Sequence, residues 1–391
     1  MKYRNIYSLL NEKTRQYRGR DIFYVRTNDQ WTGISWDSFH REAHEFGYGL
    51  ISMGLETGTS LCILMGTVPE WPVADIGTII AGGVSVGLYP TSSAEQCKYI
   101  INHSDAEFVL VDTRIQLDKI LSIRKELPRV KTIIALDEQG AEANDDVWSY
   151  KAFLRLGRQH SENLDATLKA RGLNARPDDT AMMVYTSGTT SSPKGACLSH
   201  RYIINSVESL RASIALRDSD RSFSYLPYCH VAERISGFYN RLYAGAPAYF
   251  VDDLSRLWDY MQEVKPTVFA SLPRFFEKVH ARILADIEKS SPEEQKQFYE
   301  ALDEGRKLSR LRQARQQELG IEQEQQDSPF LSKIKSYFGG EIQIATSGGA
   351  PLAVAIQEFF DAFGLPILQA YGLTENLCVA FNRPNDYRFR T

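Results

Sequence analysis

Short apolar, β-branched runs alternate along most of the chain with segments of helical period. Residues 61–65, 84–89, 108–111 and 132–136 read as buried strands, and 72–81, 94–101 and 115–126 as the helices between them. This βαβ succession predicts a mostly parallel sheet. A polar, acidic stretch over 137–179 reads as a connection holding one or two helices. A second series follows, with strands predicted at 181–185, 221–225, 248–251, 267–270, 342–346 and 366–369. Its helices are predicted at 199–215, 233–244, 254–263 and 352–363. The expected fold class is therefore α/β, with two doubly wound βαβ lobes over about 50–179 and 180–391. Residues 281–328 stand apart. They are charged and rich in helix formers, and read as exposed, solvated helices inserted between strands. A lid or a membrane-facing surface is the weaker reading of that insertion.

The most informative segment lies at 185–196, YTSGTTSSPKGA. It follows an apolar run that reads as a buried strand. Loops leaving strand ends are where α/β folds hold nucleotides. Thr186, Ser187, Gly188, Thr189 and Thr190 offer hydroxyls and closely approachable backbone amides to a phosphate chain. Lys194 adds a mobile positive charge for the outer phosphates. An ordinary Ser/Thr/Gly surface loop is the plainer alternative, weakened by the length of the pattern and the lysine at its end. A P-loop is excluded, because that motif needs Gly before its Lys and a hydroxyl after it, whereas Pro193 precedes Lys194 and Gly195 follows.

Two later segments carry compatible chemistry. In ATSGGAPL, Gly348, Gly349 and Ala350 lie between a predicted strand and a helix, giving a flat surface on which a purine could stack. Strand–Gly–Gly–helix turns are common, so that segment is weak by itself. QAYGLTEN is stronger. After Gln369 and Ala370, Tyr371 offers a ring for stacking and Gly372 a tight turn. Thr374 brings a hydroxyl for phosphate, and Glu375 a hard carboxylate for Mg²⁺. His230, in LPYCHVAER, sits just past a predicted strand; a lone histidine there is more often structural than catalytic. Gly83, Ser85 and Gly87 satisfy GxSxG, but a nucleophile elbow needs a strand before its serine and a helix after it. Here that order is inverted, so Ser85 reads as a strand residue and a serine hydrolase as a remote alternative.

Composition narrows the setting. The 391 residues are 43% hydrophobic and 24% charged, which suits two or three core-bearing lobes. A net charge of −4, with Lys and Arg dispersed, argues against a nucleic-acid partner. Five cysteines with no CxxC pair suit a reducing compartment better than disulfides or zinc. The start is polar and lacks the apolar core of a signal peptide. The longest apolar run, 76–89, is interrupted by four glycines and is too short to span a bilayer. A cytoplasmic protein is expected, with peripheral membrane contact and oligomeric state left open.

Taken together, these motifs resemble the adenylate-forming superfamily of acyl-CoA synthetases, luciferases and peptide-synthetase adenylation domains. The stretch 185–196 is similar to its signature loop, departing at Ser191 where that loop usually has glycine, and 371–375 matches its YGxTE motif. LPYCHVAER, SLPRFFEKV and 69–112 resemble the long-chain fatty acyl-CoA synthetase branch, and the likeness runs from about residue 22 to the end. The resemblance implies one AMP-binding large domain over 1–391 in the acyl-CoA synthetase-like fold, incomplete, with a third lobe and a small C-terminal domain beyond it. It implies ATP, Mg²⁺ and coenzyme A as reactants, and a fatty acid as substrate. A fatty acyl-AMP ligase serving a carrier protein, and a non-catalytic nucleotide- or lipid-binding protein, remain the alternatives. The resemblance assigns Thr186, Lys194, Thr374 and Glu375 to catalysis. Thr374 would contact the α-phosphate, Glu375 would hold the metal, and His230 would border the acyl chain. With the C-terminal part absent, weak binding and little complete turnover are expected.

Overall fold

The apolar runs fold as strands because both faces of the sheet they build are covered. The computed structural model describes residues 2–144, 146–186, 193–319, 328–384 and 386–389. The chain divides into two units, one of Met1–Glu208 with Ser224–Asp252, the other of Ser209–Phe223 with Asp253–Thr391.

In the first unit, β1 (Asp21–Thr27) and β2 (Gln30–Ser35) form an antiparallel ribbon that turns at Asn28 and Asp29. Both turn residues have positive φ, 50° and 59°, the geometry that matches strand twist in two-residue hairpins. The parallel strands then follow: β3 (Ser60–Leu64), β4 (Val84–Leu88), β5 (Ala106–Val111), β6 (Thr132–Ala135) and β7 (Val147–Ser149). β8 (Thr180–Thr186) adds parallel to β4, and β9 (Lys194–Ser199) closes the edge antiparallel to β8. The resulting order is β7-β6-β5-β3-β4-β8-β9. β3 and β4 are buried at every position, which is why they read as continuous apolar runs rather than as alternating ones.

β10 (Ser222–Ser224), where the chain re-enters the first unit, belongs to a four-stranded sheet with β11 (Ala248–Phe250), β1 and β2. β11 runs parallel to β1, with Tyr24 stacked on Tyr249 at 4.5 Å. In the second unit, β12 (Val268–Ser271), β13 (Ile344–Gly348) and β14 (Ile367–Tyr371) are parallel, and β15 (Ala380–Phe381) is antiparallel to β14.

The α/β class is as expected, but the strands are shared out differently from the lobes 50–179 and 180–391. β8, expected to open the second lobe, completes the first sheet by pairing Met182, Met183 and Val184 with β4. β10 and β11 leave the second series to pair with the N-terminal ribbon. Periodicity identifies a strand without naming its neighbour. The expected helix at 233–244 is a π-helix over Ala232–Tyr239 followed by an α-turn, Asn240–Ala244.

The charged insertion is also less solvated than its composition suggests. Helix Pro292–Leu319 buries Phe298, Leu302 and Ser309. Phe298 packs on Phe363 at 4.9 Å, and the Ser309 hydroxyl donates to buried Asp361, which also accepts from Tyr387 and from Arg312 at 3.1 Å. These three positions, four and seven residues apart, fall on one face of the helix and are enough to dock it. Residues 320–327 lie outside the described set.

Helices Trp36–Ser52 and Tyr150–Asn174 cross closely in the first unit because Gly157 has no Cβ. A Cβ there would lie 1.8 Å from the Glu45 carbonyl oxygen. Gly157→Ala is therefore expected to force the helices apart and destabilise the unit by about 1–3 kcal/mol or more, read as a lowered urea midpoint. An unchanged midpoint would refute the tight crossing.

Candidate functional site

Thr186 ends β8 and Lys194 begins β9, and the two stand opposite each other in the antiparallel register. The segment between them therefore connects a hairpin rather than a strand and a helix, so the P-loop remains excluded on structural grounds. Thr186 is half-buried and Lys194 exposed. Ser187, Gly188, Thr189 and Thr190, with Ser191, lie outside the described residues. Tyr185, one residue before the connection, turns inward and is 5% exposed. Burial pushes its phenol well above the ordinary range.

The LPYCHVAER segment lies over the carboxyl ends of β3 and β4 in the same unit. Thr67, just past β3, donates its hydroxyl to the Leu226 carbonyl at 2.9 Å. A Cβ on Gly87 of β4 would stand 2.7 Å from Cys229 Cα, so the segment crosses the sheet edge at a point only glycine permits. His230 is exposed, and its Nδ1 accepts from the Ala232 amide at 3.1 Å. Protein packed around the ring lowers its pKa through desolvation, which favours a neutral imidazole. Glu233 and Arg234 point into the core instead. Arg234 pairs with Asp75, both fully buried, and donates to the Ser85 hydroxyl at 2.7 Å. Arg241 pairs with Glu233. Ser85 is thus a strand residue bonded to a buried arginine, as its inverted context implied.

In the second unit, β13 and β14 run side by side with Ser347 opposite Gln369 and Gly348 opposite Ala370. This places Gly348, Gly349 and Ala350 next to 369–375 at the carboxyl ends of paired parallel strands, where α/β sheets hold ligands. Gly349 adopts φ +79°, a conformation glycine permits without strain. The Gln369 side chain fixes the following loop by accepting the Leu352 amide at 2.9 Å. Beyond Tyr371 the chain folds into a tight turn closed by Leu373 N–H to Asn376 O at 2.9 Å and the reverse bond at 3.2 Å. Gly372 allows that turn, since a Cβ there would lie 1.9 Å from the Leu377 carbonyl oxygen. Thr374 is buried at 8% exposure, while Glu375 is exposed and the Tyr371 ring is 57% exposed.

Thr186 and Lys194 thus stand opposite each other on β8 and β9, and His230 lies in the same unit, in the segment over the carboxyl ends of β3 and β4. Gly348, Gly349, Ala350, Gln369, Ala370, Tyr371, Gly372, Thr374 and Glu375 lie at the ends of β13 and β14 in the second unit. Sequence reasoning passed over Ser347, whose buried hydroxyl has no hydrogen-bond partner beside the glycine turn. Its position directly before two glycines was the available signal. It also passed over Tyr99 and His103, which touch the stems of the 186–194 connection.

The model of the AMP-binding enzyme family matches residues 10–391. The chain belongs to that family. Among relatives, the long-chain-fatty-acid–CoA ligase ACSBG2 of Homo sapiens is 31% identical over 358 residues, covering 90% of this chain and 53% of that protein. Its Xenopus laevis counterpart is 28% identical over 380 residues, covering 95% of this chain and 51% of that protein. The chain spans about half the length of these curated relatives, as the 51% and 53% coverage shows. A crystal structure of the anthranilate CoA ligase AuaEII in complex with anthranoyl-AMP superposes with a TM-score of 0.73 at 19% identity, covering 99% of this chain and 63% of that one. The family and its fold are those the motifs resembled, and the named relatives belong to the long-chain branch that LPYCHVAER and SLPRFFEKV suggested. No helix among the described residues is long and apolar enough to cross a membrane.

Proposed function

We propose that this chain carries the nucleotide- and acyl-binding part of a long-chain fatty acid–CoA ligase. The observation that supports this most directly is the convergence of 348–350 and 369–375 at the ends of two paired parallel strands in an AMP-binding family chain. In this reading the fatty acid carboxylate oxygen attacks the α-phosphorus of ATP. The bond from that phosphorus to the bridging oxygen breaks and pyrophosphate leaves with the electron pair, giving acyl-AMP. Coenzyme A thiolate then attacks the acyl carbonyl and releases AMP.

The residues have separable tasks. The flat surface of Gly348, Gly349 and Ala350, with Gln369, Ala370, Tyr371 and Gly372, holds the adenosine. Thr374 holds the α-phosphate. Thr186, Ser187, Gly188, Thr189, Thr190 and Lys194 cradle the outer phosphates. Catalysis is then mainly orientation and neutralisation of phosphate charge. Exposed, neutral His230 borders the acyl chain and has no assigned proton transfer. Mg²⁺ fits Glu375 as a nucleotide-borne ion, because the carboxylate is an exposed, hard oxygen donor. Such an ion draws most of its ligands from water and phosphate and supplies charge neutralisation there.

Single-turnover mixing of the chain with MgATP and palmitate or octanoate tests the reading. Acyl-AMP and pyrophosphate in equal amounts are expected by mass spectrometry, with the preferred acid reporting the acyl site. ATP binding without acyl-AMP would reduce the chain to a nucleotide-binding part. Absence of ATP binding would overturn the reading.

A further inference from the structure

The loop that follows Gly349 is held at one residue from two sides. Leu352 donates its amide N–H to the Gln369 side-chain oxygen at 2.9 Å, and its carbonyl accepts from Gln357 Nε2 at 2.7 Å. Gln369 belongs to β14, the strand that ends in Tyr371. Gln357 comes from the helix Val354–Ala362, which starts where the loop ends. Both Gln357 and Leu352 are buried. Among the described residues this is the one hydrogen bond the Gln357 side chain makes, and its Oε1 is left without a partner. A buried amide satisfied by a single bond stabilises little, because the desolvation of its bare oxygen offsets much of the gain. A methionine would fill a similar volume at less cost. What the amide supplies is a fixed place for Leu352.

We propose that Gln357 is a positioning residue that fixes the gap between the 348–350 surface and the Tyr371 ring, and with it the fit of a purine. The proposal rests on the reading that these residues hold adenosine. Gly348 stands opposite Ala370 on the paired strands, so the glycine turn and Tyr371 leave the sheet side by side. Their tethers differ. Tyr371 ends β14 and is carried by the sheet. The turn leaves the ladder after Gly348, and its path from Gly349, at φ +79°, depends on where Leu352 is held. The Pro351 ring restrains its own φ and so passes the placement of Leu352 back toward Ala350. Gln369 fixes the planar peptide before Leu352 and Gln357 the one after it, so that the residue cannot rotate without losing a bond. Small displacements matter at such a surface. Carbon atoms attract best at about 3.5–4.0 Å, and a gap wider by about 0.5–1 Å forfeits a quarter to a half of the contact.

A role of this kind bears on the base and not on the phosphates. The test measures dissociation constants for AMP and for inorganic tripolyphosphate with the 391-residue chain and its Gln357→Met, Tyr371→Ala and doubly substituted variants. Melting temperatures are recorded in parallel. Gln357→Met is expected to weaken AMP by about two- to tenfold, the range of one lost hydrogen bond. Tripolyphosphate affinity should not change, and melting should hardly fall, since an unpartnered buried oxygen goes with the lost bond. In a Tyr371→Ala background the same substitution should have little further effect on AMP, because no ring is left to space. A merely structural role would cost the same in both backgrounds. Should Gln357→Met not fold, Gln357→Asn, which shortens the amide by one methylene, carries the same expectation and the same refutation. Unchanged AMP affinity in the Gln357 variant, an equal loss for tripolyphosphate, or an equal loss with and without the Tyr371 ring overturns the proposal. No AMP binding by the unmodified chain, or unchanged AMP binding by Tyr371→Ala alone, overturns the adenosine reading itself, and the positioning role with it.

Discussion

Arg234→Ala is expected to lower the stability of the first unit by about 3–5 kcal/mol, the cost of leaving one member of a buried ion pair without its partner. Arg234 and Asp75 are both fully buried. The guanidinium also donates to the Ser85 carbonyl at 3.1 Å and hydroxyl at 2.7 Å, and its carbon lies 4.9 Å from the Trp71 ring centre. Removing it leaves the Asp75 carboxylate accepting from the Tyr239 hydroxyl at 2.9 Å. Domains are commonly stable by only about 5–15 kcal/mol, so this single change takes a large share. Urea denaturation of the variant should show a clearly lower midpoint. Arg114→Ala serves as the contrast, since Arg114 and Asp118 are both 55% exposed and their pair is screened by water. The double variant Asp75→Leu/Arg234→Met should recover much of the loss, because removing both charges leaves no unpaired one. If Arg234→Ala behaves like Arg114→Ala, the buried network is not what holds the segment carrying His230.

The same network shows where the sequence was legible and where it was not. Strands β3 to β6 were readable because each is a dense apolar run, and a run buried on both faces looks the same whichever neighbours it takes. Neighbour choice was not readable, so β8 was expected to begin a new lobe rather than to complete the first sheet beside β4. The charge in LPYCHVAER was visible but the burial of Glu233 and Arg234 was not, since a buried charge is betrayed only by its partner. Asp75 supplies the partner of Arg234 from a distant part of the chain, and Arg241 supplies that of Glu233 from eight residues on. The tight turn at Gly372 was legible because a close backbone approach leaves a glycine behind. The grip of Tyr99 on Pro193 was not, because an aromatic residue on an amphipathic helix is ordinarily core.

Glu375→Gln is expected to depress acyl-AMP formation by about 10²–10³-fold, the range found when a single group that stabilises transition-state charge is removed. The effect comes from the loss of one full negative charge at the turn that carries Glu375. Glutamine keeps the length and an oxygen but loses the charge that, in the proposed reading, would draw a hard cation to the phosphates. The fold should not register the change. Glu375 is exposed, and the turn around it is closed by backbone bonds between Leu373 and Asn376. The expected signature is therefore a low single-turnover rate, a raised Mg²⁺ requirement and an unchanged melting temperature. Raising Mg²⁺ should recover part of the rate if the carboxylate recruits the ion, and none if it acts on the nucleotide in another way. A Glu375→Gln chain that forms acyl-AMP at the unmodified rate and at the same Mg²⁺ concentration would show that the metal is held elsewhere, and the role assigned to this turn would fall.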